Sequence, residues 1–128
     1  DALPEGQPIG TVTMQIRCDT LPAGTENLPP DGVILPETAF PLWQGDTVYD
    51  LLTRAARQNR LQLDTSGTQG MMYVSAIQYL YEQAHGELSG WMYLVNGVSS
   101  SKGCDQYTPM PGDSILWAYT CDMGADLR

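Results

Sequence analysis

Basic residues are scarce in this chain. Six Lys and Arg stand against 15 Asp and Glu, leaving a formal net charge of −9. Nucleic-acid binding rests on cations that neutralise phosphates, so this balance argues against a nucleic-acid partner. The same charge repels an anionic membrane surface. Histidine is nearly absent, with one residue, and the three cysteines show no C-x-x-C spacing. That leaves little for a metal centre or an acid–base site. No D-x-[DN]-x-[DN]-G run provides a calcium loop. The longest apolar stretch, residues 115–119, falls far short of the roughly 20 residues of a spanning helix, so no membrane insertion is expected. No cationic and apolar leader precedes Asp1, and any export signal is expected outside these residues. Internal repeats and low-complexity tracts are also missing.

What remains is a globular composition, 42% hydrophobic and 16% charged over 128 residues, enough for one domain with one core. Residues 1–10 carry two prolines and two glycines without periodicity and read as a linker or disordered N-terminus, which leaves 11–128 as the domain. From Thr11 the pattern alternates. Val12, Met14, Ile16 and Cys18 form an inward row between polar neighbours, as in a half-buried strand. Residues 21–32 hold three prolines and read as a loop. A second strand is expected over 33–40, interrupted by Pro36 and closed by Pro41.

Asp46 is suited to cap a helix over about 47–60. Val48, Leu51, Leu52 and Ala55 fall on one face of that helix, with Arg54, Arg57 and Arg60 toward its C-terminal end. Residues 64–70 read as a polar loop, and 72–81 as a strand followed by a short helical turn. Residues 91–95 form a strand running into Asn96-Gly97, a strong turn signal. The return leg, 114–121, places Ile115, Trp117, Tyr119 and Cys121 on one face after a Pro-Gly-Asp turn. The order predicts an α+β fold: one small domain with a β-grasp-like mixed sheet of about five strands and one main helix.

Several stretches, IRCDT (16–20), ILPET (34–38), GDTVYDLL (45–52), LSGWMYLVNG (88–97), PGDSILWAYTCD (111–122) and the terminal MGAD, together resemble the transcobalamin-like C-terminal domain family. The resemblance spans roughly residues 11–127. It implies a small α+β module found among other domains in exported proteins of Gram-positive bacteria, with no enzymatic role. It also implies that a related domain in vitamin B12 carriers closes over cobalamin held against a separate helical barrel. Cobalamin therefore enters through the resemblance only, and the residues themselves call for no cofactor. Relatives carry four cysteines, of which Cys18, Cys104 and Cys121 are present here and His85 replaces the fourth. If the end strands lie side by side, a Cys18–Cys121 disulfide is expected, worth about 4–5 kcal/mol by chain entropy. Two buried reduced thiols are the alternative, and Cys104 is left without a partner.

The carboxylate beside Cys104 would raise its pKa and disfavour a nucleophilic thiol. Asp19, Asp46, Asp113, Asp122 and Asp126 read as cap, turn and surface residues, with a weak Asp19–Asp122 site kept open. Trp91, Tyr93, Trp117 and Tyr119 form either a stacking platform or a core row, and Trp43 is the expected exposed aromatic. The leading reading is a non-catalytic binding or interaction module of a secreted or cell-surface protein. Its partners are other domains of the same protein or an extracellular ligand. Trp91, Tyr93, Asn96 and Tyr107 are the candidate ligand residues for a corrinoid contact made with a separate helical domain. The rival from another class is a disulfide-stiffened spacer without a ligand.

Overall fold

The computed structural model describes residues 7–22 and 28–127. The expected N-terminal linker lies partly, and the centre of the 21–32 loop wholly, outside the described residues. The alternating row at the start forms β1 (Gly10–Arg17), which pairs antiparallel with β2 (Val33–Leu42). Pro36 does not interrupt β2 and Pro41 does not close it. The register moves from Met14↔Thr38 to Ile16↔Leu35, so one extra residue of β2 is absorbed in a bulge around Pro36. β2 is an edge strand, where a missing N–H costs no ladder bond.

The helix α1 runs over Val48–Gln58 and buries Val48, Leu51, Leu52, Ala55 and Ala56. Its N-cap is Thr47, not Asp46. Thr47 Oγ1 accepts from the Asp50 N–H at 3.1 Å, and Asp50 Oδ2 accepts from the Thr47 N–H at 3.0 Å, a reciprocal capping box. Asp46 instead turns inward. It is 4% exposed, accepts from the Trp43 N–H at 2.9 Å and pairs with the Arg54 guanidinium. Arg54 also lies 5.4 Å from the centroid of the Trp43 ring, so Trp43 is half-buried under a cation, not an exposed aromatic.

Two segments differ from the sequence expectation. The polar stretch after α1 contains β3 (Leu63–Ser66), which pairs antiparallel with β4 (Tyr73–Ile77). The expected helical turn after β4 is a two-residue hairpin into β5 (Leu80–Tyr81). Its turn residues Gln78 and Tyr79 have φ of 52° and 65°, the left-handed geometry that a primed turn imposes. Gln62 holds that turn in place. Its carbonyl accepts from the Gln78 N–H at 2.8 Å, and its side-chain oxygen accepts from the Tyr79 N–H at 2.7 Å.

β6 (Gly90–Val95) turns at Asn96-Gly97 into β7 (Val98–Ser99), and β8 (Ser114–Thr120) returns antiparallel to β6. β8 lies parallel to β1, as expected. The result is a five-stranded sheet in the order β2-β1-β8-β6-β7 beside a three-stranded sheet β3-β4-β5. The core fills the space between α1 and one face of the large sheet. Val12, Met14, Ile16, Leu42, Ile115 and Trp117 join the buried face of α1 there. A smaller cluster gathers Cys18, Leu80 and Tyr119 at the far end.

Candidate functional site

Alternation along β6 turns Trp91, Tyr93 and Val95 inward, and register sets Tyr93 opposite Trp117 and Trp91 opposite Tyr119 on β8. The rings meet accordingly. Tyr93 and Trp117 centroids are 5.5 Å apart, Trp91 and Tyr119 5.3 Å, and Tyr107 stands edge-on to Tyr93 at 6.0 Å. Most polar ends of these rings are occupied. The Trp91 indole N–H donates to the Leu80 carbonyl at 2.8 Å, the Tyr93 hydroxyl to the Lys102 carbonyl at 2.5 Å, and the Tyr119 hydroxyl to the Tyr81 carbonyl at 2.8 Å.

Where β4 passes β6, the two sheets do not join. A cavity of about 210 Å3 remains, walled by Met72, Tyr73 and Val74 of the β4 side and by Trp91, Met92 and Tyr93 of β6. Ser100, Gly103, Cys104 and Trp117 complete the lining. The lining is mostly apolar. Trp117 is 2% exposed, and among the described residues its Nε1–H has no hydrogen-bond partner. That nitrogen is sealed under the packed rings and does not open onto the cavity; leaving it unpaired costs about 1–3 kcal/mol.

Cys104 is buried in this wall, where its thiol donates weakly to the Met72 carbonyl at 3.6 Å. Burial first, then the Asp105 carboxylate, push the thiol up to about 11, against backbone hydrogen bonds that lower it. It is a protonated group at neutral pH. His85, its partner in a protease-like reading, sits elsewhere, exposed and edge-on to Tyr119 at 5.9 Å. Asp105 clamps the loop before β4, its Oδ2 accepting from the Gly70 N–H at 2.6 Å.

Of the candidate ligand residues, Trp91 and Tyr93 both line the cavity. Tyr107 packs behind Tyr93. Asn96 stands at the hairpin tip with its side chain fully engaged: Nδ2 donates to Asp113 Oδ1 and Oδ1 accepts from the Ser114 N–H, each at 3.0 Å. Trp117, named with Trp91 and Tyr93 as a possible stacking platform, also lines the cavity. Met72, Val74, Ser100 and Cys104 were not legible as lining.

All three cysteines are free thiols in the structure, in place of the expected Cys18–Cys121 bridge. The parallel register sets Arg17 beside Ala118, so its continuation brings Cys18 level with Tyr119 and leaves Cys121 two residues beyond. Disulfides need Cα atoms within about 7 Å, and a diagonal offset of two residues strains that limit. Both cysteines nevertheless touch the Tyr119 cluster. Asp19 pairs with Arg17, and Asp126, not Asp122, reaches back to the sheet end at Thr120 and the Cys121 N–H.

Fold and cavity define a small α+β domain with a mostly apolar recess of ligand-group size between two sheets. The chain belongs to the DUF4430 family, a domain of unknown function, whose profile matches residues 45–121, more than half of its length. No curated protein sequence matches it. Among solved structures it is similar to haptocorrin in complex with Cbi, with a TM-score of 0.70 at 15% identity. That match covers 88% of this chain and 25% of the other, so the chain spans a quarter of that protein's length. A protein from Ruminococcus gnavus ATCC 29149, provisionally described as metal binding, matches with a TM-score of 0.53 at 11% identity. There 87% of this chain and 96% of the other are covered. These likenesses establish the fold.

Proposed function

We propose that the domain is a non-catalytic binding module of an exported or cell-surface protein, and that the cavity between β4 and β6 receives an apolar group. The observation that carries this reading is the recess of about 210 Å3 with a mostly apolar lining between β4 and β6. Size narrows the occupant. A cavity of roughly 150 Å3 holds a benzene ring, so about 210 Å3 takes an aromatic or branched aliphatic group. The protonated Cys104 and the separate placement of His85 supply no nucleophile–base pair. A preformed recess also weighs against a plain spacer.

A second reading is favoured by the likeness to haptocorrin in complex with Cbi: a corrinoid contact made together with a separate helical domain. A corrin macrocycle exceeds this cavity. It would lie across the mouth, where Tyr73 is 48% exposed, and need its main hold from the other domain.

The test is a titration of the chain with ethylbenzene, followed by chemical shifts of the residues lining the cavity. Saturable binding is expected, with shifts at Val74, Trp91 and Tyr93. Val74→Trp, which fills the recess, should abolish it while the protein stays folded. Absence of saturable binding would refute the reading, and tight binding of cobinamide alone would favour the corrinoid one.

A further inference from the structure

The outer edge of β6 is only half covered. Asn96 N–H donates to the Ser114 carbonyl. In an antiparallel pair the residues alternate in direction, so Leu94, Met92 and Gly90 also face β8. Trp91, Tyr93 and Val95 therefore present their backbone groups to the opposite side. Val95 is paired there by Val98 of β7, and the β7 pairing ends at Leu94↔Ser99. At the other end, the Gln83 N–H occupies the Ser89 carbonyl. Between these two stops no strand is hydrogen-bonded to β6, and β4 faces it across the cavity. The Trp91 N–H and C=O and the Tyr93 N–H face the gap without a backbone partner among the described residues. The gap opens on the apolar cavity, whose lining includes both residues.

We propose that an extended peptide segment adds to this edge as a short strand, continuing the line of β7 and seating one apolar side chain in the cavity. The proposal rests on the binding reading above and names its ligand class. A donor, an acceptor and a second donor repeating at the spacing of alternate strand residues match a polypeptide backbone, whereas a ligand with one acceptor satisfies only one of them. In strand addition, backbone bonds supply affinity and a pocket for alternate side chains supplies selectivity. Charge defines the flanks. Glu82 and Glu87 line a recess that continues from Trp91 and Met92, and the chain carries −9 overall. The peptide therefore places a Lys or Arg at the Gly90 end. Lys102, next to the Tyr93 hydroxyl's partner carbonyl, disfavours a second cation at the other end.

Capped pentapeptides Lys-Val-X-Val-Ser, with X as Ala, Leu or Phe, test this on the unmodified chain. Binding is expected to strengthen from Ala to Leu or Phe. N-methylation at the odd or the even positions should weaken binding about tenfold or more in one set and little in the other, because only one set faces β6. Amide exchange at Trp91 and Tyr93 should be fast in the free chain and slow at saturation, while Met92 and Leu94 are protected in both. Equal binding of both methylated sets, or unchanged exchange at Trp91 and Tyr93, would overturn strand addition. Failure of all three peptides beside intact ethylbenzene binding would sink it too while leaving the cavity reading standing.

Discussion

A single thiol illustrates how burial converts an ordinary residue into a pH-sensitive one. Cys104 is 4% exposed, and its pKa rises from 9.0 to about 11. The folded state thus keeps its proton where the unfolded chain releases it. Stability from this group is fully present below pH 9 and drains away between about 9 and 11. At 1.36 kcal/mol per unit the loss is about 3 kcal/mol at most. Urea unfolding of Cys104→Ala across that range should show a shallower alkaline decline than the parent. Burial also raises Cys18, Tyr93 and Tyr119, so the decline is reduced, not abolished. An unchanged slope would assign the alkaline limb to those groups.

Among the elements, the β4–β5 hairpin departs furthest from local preference. Asn-Gly is the favoured pair for a primed turn, and β6–β7 uses it, with Asn96 and Gly97 at φ of 53° and 82°. β4–β5 achieves the same turn with Gln78 and Tyr79, where left-handed geometry costs an ordinary residue about 1–2 kcal/mol. Tyr79 is 72% exposed, so its side chain recovers little by burial. Tyr79→Gly is expected to stabilise the chain by about 0.5–1 kcal/mol, after the entropy Gly adds to the unfolded state. A loss of stability on thermal unfolding would show that the ring makes contacts worth more than the strain.

The same contrast explains what could be read in advance. β1, α1, β6 and β8 announce themselves by alternation or by an i, i+3, i+4 stripe, and Asn96-Gly97 by its turn chemistry. β3 is four residues, Leu-Asp-Thr-Ser, too polar and too short to show a period. The Gln78-Tyr79 turn carries no turn residue because Gln62, distant in sequence, supplies its hydrogen bonds. The N-cap shifted by one because Asp46 found a buried cation in Arg54. Trp91 and Tyr93, singled out by their size and row, line the cavity. The β4 wall was not, since which sheet edge faces which is decided by tertiary packing.

At the scale of the whole molecule, the central strands of the large sheet come from opposite ends of the chain. β1 ends at Arg17 and β8 begins at Ser114, and the Thr13 and Ser114 hydroxyls are hydrogen-bonded at 3.0 Å across 101 positions. Neither β1–β2 nor β6–β7 alone covers its apolar face. Emergence from the ribosome is directional, so β1 waits with Val12, Met14 and Ile16 exposed until the last strand is made. Non-local pairing of this kind slows folding to the millisecond-to-second range. Stalled nascent chains ending before residue 114 should remain protease-sensitive and bind chaperones, and those extending past 120 should become resistant in one step. Assembly of the domain is thereby tied to the synthesis of β8.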